Sequence, residues 1–159
     1  MSGGHGKPRP ADASLAAPMA ALHGACFDAA WDASSITRLL AMPGAFAYVT
    51  ATPAGGLSGL VIARLGGGEA EILTIGVDPQ ARGTGLGRLL LDAVAVHAVA
   101  GGAEALFLEV AEDNLPALHL YEAYGFELVG RRPGYYRRKD GAVAAQTLKL
   151  DLPPPVTLS

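Results

Sequence analysis

The amino-acid sequence predicts an α/β (α+β) fold in which about four helices flank a mixed, mostly antiparallel, twisted sheet. Three observations predict it. Two helical patterns come first, three strand patterns separated by short turns follow, and helices then alternate with strands as far as residue 150. A glycine-rich loop that leads from a strand into a helix in such a sheet borders a ligand crevice near the strand ends.

The first half of the chain contains the two helical and three strand patterns. Apolar residues recur at three- and four-residue steps from Ser14 to Phe27, which indicates an amphipathic helix. A second, short helix is expected from Ser34 or Ser35 to Ala41. Apolar, β-branched runs then indicate an antiparallel meander of three strands, Ala45–Ala51, Leu57–Leu65 and Glu69–Val77.

Glycine and proline residues divide the second half of the chain. Gly101-Gly102 and Gly125 end two helical patterns, and Pro133–Tyr136 separates the last two strand patterns. The predicted elements are the helix Leu86–Ala100, the strand Ala105–Ala111, the helix Asn114–Tyr124, and the strands Phe126–Arg132 and Ala142–Leu150.

The two ends of the chain are expected to be tails around one domain, residues 14–152. Residues 1–13 are rich in glycine and proline, so we expect a flexible N-terminal tail without a β-strand before the first helix. The proline run at 153–155 ends ordered structure and leaves a C-terminal tail, residues 153–159.

Composition excludes several classes of function. A length of 159 residues fits one domain that needs no metal or disulfide to fold, and no Cys/His spacing resembles a metal site. The formal net charge of -3 argues against bulk electrostatic binding to nucleic acid or to an anionic membrane. No apolar run is long enough to span a bilayer. The charge balance instead predicts a discrete molecule as the partner. The single cysteine, Cys26, excludes an intrachain disulfide and fits a reducing compartment, so we expect a cytoplasmic protein.

The loop between the third strand and the third helix carries glycine at alternate positions, Gly83, Gly85 and Gly87. Such a loop lets backbone N–H groups converge on an anion at the positive end of the helix dipole. The dinucleotide fingerprint does not fit, because Arg88 stands where it needs glycine, and the Gly-Lys-Ser/Thr of nucleoside-triphosphate loops is absent. Taken alone, the loop is either a phosphate cradle or a turn that caps a helix.

Three segments together resemble the GNAT superfamily of acyl-CoA-dependent N-acetyltransferases over roughly residues 14–150. Arg82–Gly87 fits that superfamily's pyrophosphate loop, Gln/Arg-x-x-Gly-x-Gly/Ala. Leu108-Glu109-Val110, Asn114 and the segment 120–126 look like its second signature block. Tyr135-Tyr136 follows where the RimI-like branch, the N-terminal alanine acetyltransferases of a small-subunit ribosomal protein, places a tyrosine pair.

The resemblance implies that acetyl-CoA is the acyl donor and that a peptide or protein N-terminus, in particular a ribosomal protein, is the acceptor. Glu109 would be the general base and Tyr121 the general acid. The donor would be held by the backbone of Ile75, Gly76 and Val77, by Arg82, Gly83, Thr84, Gly85, Leu86, Gly87 and Arg88, and by Asn114. The alternatives are an enzyme for lysine side chains or small amines, and an acyl-CoA-binding module without turnover.

Several site residues also have a purely structural interpretation. Glu109 could face solvent at a strand end, Tyr121 could belong to the core, and Asn114 could cap its helix. The histidines at 23, 97 and 119 show no partner spacing and are expected to be structural or exposed. Trp31 fits either a core contact or the acceptor groove, and the basic residues of 131–139 are expected to flank a solvent-facing strand pair without binding nucleic acid.

Overall fold

The computed structural model describes residues 6–153 and places a seven-stranded sheet at their centre. The spatial order of the strands is β1-β2-β3-β4-β5-β7-β6, and all neighbours are antiparallel except β4 and β5. The strands are β1 Arg9–Ala11, β2 Ala45–Ala51, β3 Leu57–Gly66, β4 Glu69–Val77, β5 Ala105–Ala111, β6 Glu127–Arg138 and β7 Gly141–Asp151. The helices are α1 Ala16–Cys26, α2 Ala33–Leu40, α3 Leu86–Ala100 and α4 Leu115–Tyr124. The predicted fold class is confirmed.

Each face of the sheet carries its own hydrophobic core. Alternate residues of β3 divide between them, since Leu60 and Ile62 pack with α1 and α2 whereas Val61 and Ala63 pack on the α3 and α4 side. All four side chains are fully buried. A strand covered by helices on both faces has no polar side, which explains why the central strands read as continuous apolar runs.

The expectation that no strand precedes the first helix was wrong. Arg9–Ala11 pairs antiparallel with β2, with Pro10 opposite Tyr48. Proline cannot donate to a neighbouring strand, but β1 is the edge of the sheet and has a partner on one side only, so the missing N–H is tolerated there. Residues 1–5 and 154–159, which belong to the predicted tails, lie outside the described residues.

The predicted bounds of the last hairpin were also wrong. The strand β6 continues past Arg132 to Arg138, and the turn lies at Lys139-Asp140 rather than at Pro133–Tyr136. The pairing of β6 with β7 shifts register between Arg132 and Tyr136. Pro133 and Gly134 lie in this irregular segment, which β6 tolerates because it is an edge strand. No helix within residues 6–153 is long and apolar enough to cross a membrane.

Candidate active site

The sheet opens between its two parallel strands. Pairing of β4 with β5 covers three residue pairs and ends at Glu71 opposite Phe107. The register of β4 against β3 shifts at Leu73, because Ile62 pairs with Thr74 whereas Ala63 pairs with Ile72. Such a bulge bends and twists its strand. The second half of β4 therefore separates from β5 and leaves a gap in the middle of the sheet.

The backbone of β4 beyond the bulge presents alternate polar groups to this gap. The Asp78 N–H donates to the Ser58 carbonyl at 2.8 Å. Hydrogen bonds alternate along an antiparallel pair, so the polar groups of Gly76 face β3 and those of Ile75 and Val77 face the gap. Gly76 contributes packing instead, since a Cβ there would lie 3.1 Å from the Cys26 sulfur.

Arg82 ties the glycine loop to the end of β4. Its Nε donates to the Val77 carbonyl at 3.2 Å, and the Cys26 thiol donates to the same oxygen at 3.4 Å. Burial raises the pKa of that thiol. Cys26 is therefore a neutral contact between α1 and β4 at neutral pH. The loop is anchored to the strand that borders the gap.

The glycine loop has the geometry of an anion cradle. Gly83 and Gly85 adopt φ values of 79° and 86°, and no atom lies within 4 Å of a Cβ built on either, so the loop is open on that side. The helix α3 begins after Gly85 without any side-chain cap. The backbone N–H groups of its first three residues, Leu86, Gly87 and Arg88, therefore have no partner within the helix. Uncapped donors at a helix N-terminus fit a pyrophosphate group.

Two further loop residues have structural contacts of their own. The Thr84 hydroxyl donates back to the Ala81 carbonyl at 2.5 Å, which fixes the loop conformation. A Cβ on Gly87 would lie 2.8 Å from a methyl group of Leu120, so this glycine lets α4 approach α3. The guanidinium of Arg88 lies 5.2 Å from the centroid of the Tyr124 ring.

Glu109 lies on β5 at the opposite side of the gap, where it lines a cleft of about 400 Å³. Its Oε1 accepts a salt bridge from Arg132 of β6 at 3.2 Å, and the Glu109 side chain is 22% exposed. Tyr136 also lines the cleft. Its pKa is raised mainly by burial and to a lesser degree by the Glu109 carboxylate. Glu109 is thus partly buried, charged and open to the cleft, in contrast to the harmless solvent-facing alternative.

Tyr121 lies on the α4 side of the sheet, 6% exposed and packed edge-on against Phe126 with ring centroids 5.7 Å apart. Burial, and to a lesser degree the neighbouring Tyr136, raise its pKa well above the ordinary value for tyrosine. The phenol therefore keeps its proton at neutral pH. Tyr136 is electrostatically coupled to both predicted catalytic residues. It contributes to the raised pKa of Tyr121, and the Glu109 carboxylate contributes to the raised pKa of Tyr136.

Asn114 is the N-cap of α4. Its side-chain oxygen accepts from the Ala117 N–H at 3.3 Å, as the capping alternative expected. The side chain is exposed, and the prediction that it also contacts the acyl donor stays a prediction.

The cleft on the Glu109 side is bordered by aromatic and acidic side chains. Its lining residues are Trp31, Leu39, Glu71, Ile72, Leu73, Glu109, Arg132, Tyr135 and Tyr136. Trp31 stacks on His23, whose ring centroid lies 4.7 Å away, and His23 is buried against Thr74 of β4. Trp31 is therefore a packing residue that also lines the cleft, and its role in an acceptor groove stays a prediction.

The basic cluster of 131–139 forms ion pairs with acidic residues at the end of β5. Arg131 pairs with Glu112 and Arg138 pairs with Asp113 at 3.2 Å, in addition to the pair between Arg132 and Glu109. The β6–β7 hairpin is thereby tied to the loop that leads into α4. Among residues 6–153, no group of three or more His, Cys, Asp or Glu side chains could hold a metal ion.

Comparison with known proteins agrees with this geometry. The profile of the acetyltransferase (GNAT) family matches residues 16–126. The chain belongs to the GNAT family. Within that family it is RimI-like, because N-alpha-acetyltransferase RimI of Mycobacterium tuberculosis is 43% identical over 114 residues, which are 69% of this chain and 70% of that protein.

Other relatives of this GNAT protein match it over a smaller share of their own length. The [ribosomal protein bS18]-alanine N-acetyltransferase of Escherichia coli K12 is 37% identical over 84 residues, which are 53% of this chain and 57% of that enzyme. A Mycobacterium leprae protein is 43% identical over 113 residues, which are 69% of this chain and 30% of that protein. The crystal structure of the ribosomal-protein-S18-alanine N-acetyltransferase from Escherichia coli shares the fold, with a TM-score of 0.86, 23% identity and coverage of 93% and 94% of the two chains.

The sequence did not predict that Glu71 and Leu73 of this GNAT protein line the cleft, and it placed Tyr136 in a turn outside the site. Glu71 and Leu73 looked like ordinary strand residues, because only the parallel register of β4 and β5 and the bulge turn them toward Glu109. Tyr136 was assigned to a turn, although the longer β6 brings it beside the catalytic candidates. No local signal singled out Glu71, since it is exposed and alternates with buried residues as in any strand with one solvent-facing side.

Proposed function

We propose that this protein is an acetyl-CoA-dependent N-acetyltransferase that transfers acetyl directly to a protein N-terminal α-amine. The gap between β4 and β5 carries this proposal, because it joins an uncapped helix N-terminus to a cleft that holds a carboxylate. A thioester with a pyrophosphate tail can thus extend from the loop into the gap, while an amine approaches through the cleft. A cytoplasmic setting follows from the substrates, since acetyl-CoA and nascent proteins are found there.

The donor half of the proposed site uses backbone groups. The N–H groups of Leu86, Gly87 and Arg88 would bind the pyrophosphate, and the loop glycines Gly83 and Gly85 leave room for it. The backbone of Ile75 and Val77 faces the gap and would hold the pantetheine arm as a neighbouring strand would. A backbone N–H from this strand would also stabilise the negative charge that develops on the thioester oxygen.

Proton transfer in the proposed reaction belongs to Glu109 and Tyr121. The amine must lose a proton to attack, and Glu109, a carboxylate that lines the cleft, can accept it directly or through one water. Arg132 keeps this carboxylate in place through its salt bridge. Tyr121 keeps its proton at neutral pH because burial raises its pKa, so it is the protonated group assigned to the departing thiolate, and the same shift makes it a weak acid that must be positioned close to the sulfur.

An α-amine is the acceptor that needs least help from a general base. Near pH 7.5 roughly a quarter of α-amino groups are neutral, against about a thousandth of lysine amines, given reference pKa values near 8 and 10.4. The resemblance to N-alpha-acetyltransferase RimI and to the bS18-alanine enzyme supports a ribosomal N-terminal alanine as the substrate. Lysine side chains and small amines remain the competing acceptors.

The decisive experiment offers the protein acetyl-CoA and a set of peptides that differ only in the first residue. We expect acetylation of the α-amine, detected by mass spectrometry, with alanine as the preferred first residue. Matched peptides with a blocked N-terminus and one internal lysine test the ε-amine. If only the blocked lysine peptides were acetylated, the protein would be a lysine acetyltransferase instead. If no peptide of either set led to release of CoA, the proposed acetyltransferase activity would be contradicted.

A further inference from the structure

The acceptor cleft holds a second carboxylate besides Glu109. Glu71 occupies the last paired position of β4, opposite Phe107, so Glu109 is one strand across and two residues further along. Because side chains alternate along a strand, Phe107 and Glu109 lie on the same face as Glu71. Both carboxylates line the cleft.

Glu71 has no cation of its own among the described residues. None of the salt bridges within residues 6–153 includes it, whereas Glu109 is paired with Arg132. Arg64 is its cross-strand neighbour on β3, but the Nε of Arg64 donates to the Pro43 carbonyl at 3.1 Å. The charged residues that line the cleft are two carboxylates and one arginine, so the lining carries a net negative charge, and the guanidinium of Arg64 lies across the strand pair from Glu71 without an ion pair to it.

Glu71 is itself exposed, and the walls of the cleft that it lines differ in chemistry. Trp31, Leu39 and Leu73 form an apolar side, and Tyr135 and Tyr136 form the side that belongs to β6. A small apolar first residue fits such walls, while its α-ammonium group would find the carboxylates at the sheet surface. An anionic or uncharged head group would gain nothing from Glu71.

We propose that Glu71 binds the α-ammonium group of the incoming peptide and so selects an unblocked, positively charged N-terminus. This inference rests on the proposed function, because it names how the acceptor is recognised. Glu71 holds the protonated form, and Glu109, beside the gap, takes the proton once the amine moves toward the thioester. Glu71 is therefore a substrate-binding residue whose loss affects KM for the peptide more than kcat.

The test compares the wild type with E71Q, which keeps the shape of the side chain and removes its charge. E69Q is the matched control, because Glu69 is exposed on the same strand and the same face but does not line the cleft. We expect E71Q to raise KM for an alanine-first peptide roughly tenfold, as loss of a charged hydrogen bond predicts, with kcat and acetyl-CoA affinity unchanged. E69Q is expected to match the wild type.

Direct binding in the presence of CoA separates this inference from the proposed function. Three peptides serve as probes: one with a free N-terminus, its des-amino analogue, and an N-acetylated peptide that begins with lysine. We expect the wild type to prefer the free N-terminus about tenfold at pH 7 and E71Q to show no preference, with E71D restoring part of it.

Each remaining result has a definite meaning. If the wild type acetylates peptides but E71Q keeps the full preference, the role of Glu71 is wrong and the proposed function stands. If no peptide is acetylated yet the preference depends on Glu71, the proposed function fails and the ammonium site stands. Tight, Glu71-dependent binding of the blocked lysine peptide would overturn the assignment to the α-ammonium group.

Discussion

Glu109 combines a position in the cleft with a fixed side-chain orientation. Its salt bridge to Arg132 involves an arginine that is 60% exposed, so the pair contributes at most about 1 kcal/mol to stability. The benefit of the pair is orientation, because it holds one carboxylate oxygen and leaves the other free to face the cleft. Substitution at Glu109 should therefore affect catalysis and leave the fold intact.

We predict that E109Q lowers kcat about 100-fold or more at pH 7, since positioned general bases contribute ~100- to 10,000-fold. The remaining rate should rise with pH until the α-amine deprotonates by itself near pH 8. E112Q is the control, because Glu112 also pairs with an arginine of β6 but does not line the cleft. Steady-state kinetics across pH would contradict the prediction if both variants behaved alike.

At the scale of single elements, α3 and its loop would hold the proposed donor. The helix has no side-chain cap, and Gly85 adopts a φ of 86° in open space. A helix N-terminus with four orphan donors is unfavourable unless water or an anion satisfies them. The loop therefore supports the phosphate-cradle interpretation over the capped-turn alternative.

We predict that G85D abolishes acetyl-CoA binding, because it adds bulk and negative charge where the pyrophosphate would lie. G102D is the matched control at the other end of α3, since Gly102 has a φ of 85° and equally open surroundings. Both variants carry the same backbone strain, so any common loss of stability is not specific to the cradle. Isothermal titration with acetyl-CoA would refute the prediction if G85D bound as tightly as G102D.

The sequence predicted some elements better than others for identifiable reasons. The strands β4 and β5 and the helix α3 were predicted residue for residue, because a glycine turn precedes each of them and most of their side chains are apolar. The strand β1 was not predicted and β6 was predicted too short, because each contains a proline, which an edge strand tolerates. The gap itself depends on a bulge that no local pattern records, and so the cleft residue Glu71 was not foreseen.

For the molecule as a whole, one histidine on each face connects a helix to the sheet, His23 buried and His97 partly buried. His97 of α3 stacks on Phe46 and lies 3.0 Å from the Tyr48 hydroxyl. His23 of α1 accepts from the Trp31 N–H at Nδ1, at 3.1 Å, and its Nε2 lies 3.2 Å from the Thr74 hydroxyl. A backbone N–H can only donate, so the proton of neutral His23 is on Nε2. Protonation of Nδ1 would break the contact that holds the Trp31 wall of the cleft.

We therefore predict that acidification destabilises the fold partly through His23. Burial lowers the pKa of both His23 and His97 below 6.5. The unfolded chain then binds more protons than the folded one, so their contribution is present above pH 6.5 and is lost as pH falls below it. Urea unfolding between pH 7 and pH 5 should show a smaller loss of unfolding free energy in H23Q than in the wild type.

The His23 variant needs a control, because H23Q also removes a buried hydrogen bond and should lower stability at pH 7 by about 1–3 kcal/mol. The informative quantity is the slope of the unfolding free energy against pH, which isolates titration from packing. His97 should account for part of the slope that H23Q retains, which the variant H97Q tests. Parallel curves for H23Q and the wild type would show that His23 does not titrate with unfolding.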